Sequence, residues 1–217
     1  LVMKPEILFE DGEAIVINKP GGLPIDKPRK GGVSLCDYLD ELKMGFKRQP
    51  VPVHRLDQDT SGCLLLARNP KALKKFNKAF EDRLVRKKYL GVLDGTPEIE
   101  LGRIDLSVLK VSSAENGWRM IAARKGKTAV TDWFLRQENN GLSLVEFTPE
   151  TGRTHQLRVH SASGIGIPLL GDAIYGRKGS AARTLLHALA LIVPRVGKPD
   201  IVASPPIPDD FIRLGFG

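Results

Sequence analysis

Cysteine is scarce in this chain: Cys36 and Cys63 are the only two in 217 residues. Their spacing fits no metal pattern and both lie among apolar neighbours, which predicts buried free thiols and a reducing, cytoplasmic setting. Histidine is scarce too. His54, His155, His160 and His187 have no supporting cysteines, and His155 and His160 are not at the four-residue spacing of a helical zinc pair, so no metal site is expected. No apolar run is long enough to span a membrane, and the opening Leu1-Val2-Met3-Lys4-Pro5-Glu6 holds no signal core. Opening on Leu1 rather than Met is what a piece cut from a longer chain would show. Carboxylates are in deficit: 25 Asp and Glu against 33 Lys and Arg leave a net charge of +8. That excess favours a polyanionic partner, nucleic acid foremost, although charge alone does not separate this from plain solubility.

What is present is the composition of a globular chain, 41% hydrophobic and 27% charged, with the length of one domain (1–217) and a real core. Ala14-Ile15-Val16-Ile17-Asn18 reads as a strand stopped by Lys19-Pro20-Gly21-Gly22-Leu23-Pro24. Lys19 at that exit either touches phosphate or solvates a strand end, and the paired glycines complete no nucleotide loop. Ser34 predicts the cap of a helix through Leu35, Tyr38, Leu39 and Leu42. Asn69 with Pro70 predicts a second helix, buried along Leu73, Phe76, Phe80 and Leu84 and solvated along Lys71, Lys74, Lys75 and Lys78. Tyr89 enters a short strand, and residues 94–127 read as irregular strands and turns around Gly102, Gly117 and Gly126. Residues 128–136 and 142–148 form a hairpin turning at Asn139-Asn140-Gly141. Leu185-Leu186-His187-Ala188-Leu189 reads as buried, with His187 a hydrogen-bonded core residue. The pattern is α+β, with a mixed, mostly antiparallel sheet and a few flanking helices.

Two polar stretches exceed what folding requires. Val53-His54-Arg55-Leu56-Asp57-Gln58-Asp59-Thr60-Ser61-Gly62 runs into the apolar Cys63-Leu64-Leu65-Leu66-Ala67, so a loop rich in functional groups enters a rigid strand. The second is Thr151-Gly152-Arg153-Thr154-His155-Gln156-Leu157-Arg158-Val159-His160, in which Thr154 predicts a helix cap and Arg158 projects one turn inside. An aspartate without a metal serves as nucleophile, general base or electrostatic stabiliser. A guanidinium keeps such a carboxylate ionised, and Arg158 is the candidate partner for Asp57. Asp57 with Asp59 as a glycosidase-like pair is the alternative, but residues two apart on a tight loop diverge, and Asp59 fits a turn better.

His54-Arg55-Leu56-Asp57 followed by Thr60-Ser61-Gly62 resembles the signature of the RluA family of pseudouridine synthases. Asn18-Lys19-Pro20 with Gly22-Leu23, Lys88-Tyr89, Gly126-Lys127 with Ala129 and Thr131, the stretch Thr151 to His160, Pro168-Leu169-Leu170-Gly171-Asp172 with Tyr175, and Leu186-His187-Ala188 follow in the family's order. The resemblance covers nearly the whole chain and is loosest at 94–125. It implies the pseudouridine synthase fold with a central cleft, and cofactor-independent isomerisation of uridine to pseudouridine in structured RNA, rRNA or tRNA. Residue by residue it implies Asp57 as the essential aspartate, Arg158 as its partner, and Tyr89 as a third catalytic residue, stacked on the uracil and assisting proton removal from its C5. Arg55 would extrude the base, and Leu157 and Leu186 would line the ring; His54, Arg153 and Lys19 join them as substrate contacts. Many relatives carry an extra N-terminal S4-type domain, whereas here the catalytic pattern starts within the first twenty residues. The expectation is therefore a stand-alone catalytic domain, monomeric, without an obligatory protein partner, reading its RNA by shape as well as sequence.

Overall fold

The computed structural model describes residues 5–115 and 117–217. In chain order its strands are β1 (Glu6–Glu10), β2 (Ala14–Lys19), β3 (Val51–Pro52), β4 (Ser61–Ala67), β5 (Arg86–Leu93), β6 (Leu101–Asp105), β7 (Val108–Ser113), β8 (Gly117–Ala122), β9 (Val130–Asn139), β10 (Leu142–Pro149), β11 (Leu186–Val193) and β12 (Ile201–Ala203). The α-helices are α1 (Pro70–Glu81), α2 (Gln156–Val159) and α3 (Asp209–Ile212). Many strands and few helices make this an α+β protein, as the sequence pattern predicts. Two compact units divide it: one runs to Lys87 and takes back Ala188–Pro206, and the other holds Lys88–His187 with Ile207–Gly217.

In the first unit β2 pairs antiparallel with β1 on one side and β4 on the other, and β3 also adds to β4. Every residue of β4 is buried, and Ile15, Val16, Ile17, Leu64, Leu65 and Leu66 are wholly inaccessible. Strands covered on both faces are written as continuous apolar runs rather than alternating ones, which is how 63–67 reads. Helix α1 begins where expected, with the Asn69 side chain accepting the Ala72 N–H at 2.8 Å and Pro70 in the first turn. It buries Ala72 and Phe76, while its four lysines face out. It also stops sooner than expected: Arg83 takes the left-handed conformation (φ 57°), and Leu84 is left exposed.

The helix expected after Ser34 is instead two 3-10 turns, Leu35–Tyr38 and Glu41–Lys43, the second closed by Met44 at φ 48°. Ser34 and Asp37 still form a capping box, and Leu35 and Leu42 still supply the core. The tighter turn sends Cys36 outward, so that cysteine is exposed rather than buried. Cys63 is buried as expected, and burial pushes its thiol up to about 12, leaving an inert side chain.

In the second unit β5, β10, β9 and β6 pair antiparallel in that order. The β9–β10 hairpin turns at Asn140 and Gly141, both at positive φ, the two-residue turn that Asn-Gly favours. The stretch expected to be irregular holds β6 and a separate two-stranded ribbon, β7–β8. The core gathers Leu93, Ile104, Trp133, Val145, Phe147, Leu157, Leu169 and Leu186. No helix among the described residues is long and apolar enough to cross a membrane.

Candidate active site

The loop that carries Asp57 is pinned from three directions within the first unit. At its start, Val53 N–H donates to the Leu65 carbonyl at 2.9 Å, and Leu65 N–H donates back to His54 Nε2 at 3.0 Å. The His54 ring also stacks on Phe80 of α1, with centroids 4.9 Å apart. Burial, aided by the Lys87 charge, brings its pKa down to about 3, so the imidazole is neutral and able to accept. Lys87 is itself lowered to about 8 by burial. At the loop's middle, the Gln58 carbonyl accepts from Gly22 N–H at 2.9 Å and from Lys19 Nζ at 2.9 Å. At its end, Thr60 N–H closes a turn on the Asp57 carbonyl at 3.1 Å, and Gly62 adopts φ +103° where a Cβ would stand 2.3 Å from the Ala188 carbonyl oxygen. A loop so held leaves Asp57 half-buried and Arg55 exposed; the Arg55 guanidinium lies 3.9 Å from Asp26.

Two expected substrate contacts change role here. Lys19 is fully buried, and its ammonium donates to the carbonyls of Pro20, Leu23 and Gln58 at 2.8, 2.8 and 2.9 Å. A side chain turned inward onto three backbone oxygens is a strut between two loops rather than a phosphate contact. Its place at a strand exit suggested surface exposure; two of the carbonyls that draw it in belong to its own loop, and the third, Gln58, is brought near only by the fold. His54, likewise, spends its acceptor on the Leu65 backbone and its ring face on Phe80, so it too positions the loop.

In the second unit the polar stretch 151–160 is largely a hydrogen-bonded corner. Gln156 uses both ends of its amide: Oε1 accepts from the Thr151 hydroxyl (2.7 Å) and Arg153 N–H (3.0 Å), and Nε2 donates to the Val130 carbonyl (3.1 Å) and Thr131 Oγ1 (3.0 Å). The chain then turns through His155 at φ 54°, which precedes α2 in the place expected of Thr154. A run of π-helix from His160 to Ile165 follows α2. His160 bridges Thr131 Oγ1 and the Leu106 carbonyl, both at 2.9 Å, and burial lowers its pKa. Arg153 donates from Nε to the Thr128 carbonyl at 3.1 Å.

Arg158 does not project into solvent. It is buried, and its Nε and Nη2 grip Asp172 Oδ2 and Oδ1 at 2.7 and 2.8 Å. Asp172 also accepts from the backbone of Ile174 and Tyr175 at 2.9 and 3.1 Å. Burial would raise its pKa, but the Arg158 guanidinium and those two N–H groups hold it below the usual carboxylate range. The Arg158 guanidinium lies 5.2 Å over the Tyr175 ring, whose hydroxyl contacts His155 Nδ1 at 2.8 Å and accepts Met120 N–H at 2.9 Å. Asp172 is not among the site residues expected from the sequence; a carboxylate directly after the apolar run 168–171 is the available signal. Tyr89, opposite Phe147 in the sheet, packs on the same cluster as Leu157 and Leu186, so three residues expected around one ring are together. No group of three or more metal-ligating side chains occurs among the described residues.

Comparison with known proteins places these features in a family. A family model described as RNA pseudouridylate synthase matches residues 13–163. An uncharacterized RNA pseudouridine synthase of Zymomonas mobilis is 51% identical over 217 residues, covering 99% of each chain. Ribosomal large subunit pseudouridine synthase D of the same organism is 36% identical over 193 residues, 85% of this chain and 60% of that longer relative. Among solved structures, human RNA pseudouridylate synthase domain containing 4 superposes with a TM-score of 0.79 at 27% identity, over 96% of this chain and 90% of that one. The match spans both polar stretches and the fold around them, and the chain belongs to the RNA pseudouridine synthase family of isomerases, of the RluA type.

Proposed function

We propose that this protein converts uridine in structured RNA, ribosomal or transfer, to pseudouridine without a cofactor, with Asp57 as its essential catalytic group. The observation that carries the reading is the held carboxylate: Asp57 sits half-buried on a loop tied at Val53, His54, Gln58 and Thr60. Such fixing lets a carboxylate meet a reacting carbon without paying to order itself at the moment of reaction. It either attacks the ribose C1′ or removes a proton from C2′; both need the ionised form. The C1′–N1 bond breaks, the uracil turns, and C5 bonds to C1′ in its place; the proton on C5 then leaves and N1 gains one, so the product is an isomer of the substrate.

A uridine inside a fold must first leave its stack, at a cost of about a few kcal/mol. The exposed Arg55 extrudes the base, and contacts between a chain of net charge +8 and phosphates offset that cost. Arg158, its charge oriented by Asp172, is a second catalytic group, and Tyr89 with Leu157 and Leu186 receives the ring and keeps water from the broken bond. Arg153 contacts the RNA near this ring. The enzyme acts as a monomer in the cytoplasm. Incubation with uridine-labelled rRNA and tRNA tests this: pseudouridine is expected, and free uracil would mean a glycosidase instead. Asp57→Asn should abolish product while RNA affinity stays within about twofold, since a neutral amide keeps the shape and loses the reactive oxygen. Retained turnover by that variant would refute the role.

A further inference from the structure

The ribbon β7–β8 takes no part in the chemistry above, yet it is built with care. Its base is locked: Val108 and Lys127 exchange backbone hydrogen bonds at 2.9 and 2.8 Å, and Gly126 lies so close to Val108 that a Cβ would come within 2.5 Å of its carbonyl. Met120 is buried and its N–H is held by the Tyr175 hydroxyl. Outward from that base the ribbon is exposed, and at its outer end stands Trp118, 45% accessible. The register sets Ser112 opposite Trp118 and Lys110 opposite Met120, so all four share one face. Lys110 Nζ lies 4.8 Å over the indole, and the His155 ring lies 5.0 Å from it, tilted by 31°. Between Val108 and Lys127 the chain holds five cations, Lys110, Arg119, Arg124, Lys125 and Lys127, against the single carboxylate of Glu115.

We propose that Trp118 is a base-stacking platform, on which an unpaired nucleotide of the substrate RNA lies while Lys110 takes its phosphate. This deepens the reading above, on which it rests for the choice of RNA. An exposed indole with the Lys110 ammonium over it and the Ser112 hydroxyl on the same face suits a flat ring with an attached phosphate, whereas an apolar protein partner would meet that charge unpaired. The indole already holds one cation at its face. An exposed cation–π contact is weaker than base–aromatic stacking, so an arriving base displaces the flexible Lys110 arm from the ring and the ammonium moves to the phosphate. The anchored base of the ribbon holds the platform at a set place in its unit, so that it selects RNAs with an unstacked nucleotide at the matching distance from the target uridine.

Intrinsic fluorescence reads this directly, because the other tryptophan, Trp133, is 5% accessible and locked in the core. The probes are 15-nucleotide oligouridylate and oligoadenylate, with binding followed separately by anisotropy of end-labelled strands. Saturable quenching that parallels binding is expected. Trp118→Ala should weaken both probes about 5- to 100-fold, while Trp118→Phe, which keeps a stacking face, should retain most of the affinity. Binding without quenching, equal affinity in Trp118→Ala, or no binding of either probe would overturn the platform. Pseudouridine formation on rRNA and tRNA is scored in parallel. Product without quenching sinks the platform alone, and quenching without product sinks the synthase reading alone.

Discussion

Replacing Asp172 by Asn removes one charge from a buried, doubly hydrogen-bonded pair and changes almost no volume. In the native protein the Asp172 carboxylate receives two bonds from Arg158 and two from the backbone. In the variant the amide NH2 faces a guanidinium that has only donors, and Arg158 keeps a buried charge whose counter-charge is gone. Breaking a buried pair from one side costs about 3–5 kcal/mol. For a chain of this length that is a melting temperature lower by roughly 6–20 °C. The assay is thermal unfolding followed by circular dichroism, with turnover measured well below the variant's own melting point. A misplaced Arg158 should lower kcat about 10- to 100-fold with KM little changed, because orientation matters at the reacting centre more than in binding. The double variant Arg158→Met with Asp172→Leu fills the same space without charge and should regain most of the stability while staying inactive. Asp172→Asn melting within about 2 °C of the parent, or a double variant as unstable as the single one, would refute the reasoning.

Gly62→Ala forces a Cβ to 2.3 Å from the Ala188 carbonyl at a left-handed φ, and should cost about 3–5 kcal/mol; a melting curve matching the parent would show that the strands part easily. The His54 imidazole is held down at about 3 against an ordinary 6.5, so below pH 6.5 the unfolded chain takes up a proton that the folded one refuses. Stability should fall as pH drops from about 6.5 towards 3, by at most about 1.4 kcal/mol per unit. His54→Asn, read as urea midpoints from pH 7 to 4, should flatten that slope, and an unchanged slope would show the ring to be freely protonated.

The local pattern of the chain was enough for several elements. The apolar run 63–67 meant a covered strand, Asn69-Pro70 meant a helix start, and Asn140-Gly141 meant a two-residue turn, because each is decided by backbone sterics and hydrogen bonds between near neighbours. The two polar stretches were legible too, since apolar packing does not explain so many ionisable groups in so few residues. What lay beyond reach came from contacts distant in sequence. Lys19 is drawn inward by Gln58, thirty-nine residues away, and the Arg158 guanidinium is set by Asp172, fourteen residues further on. Pro20 and Leu23 hold Lys19 locally, but nothing near either residue encodes its distant partner. Cys36 points outward because its segment winds as a 3-10 turn, which a helical period misreads. Sequence alone named the ionisable groups; only the folded chain decided which of them reach solvent and which are spent on holding the others, because a charge is stable inside a protein only where partners from elsewhere converge on it.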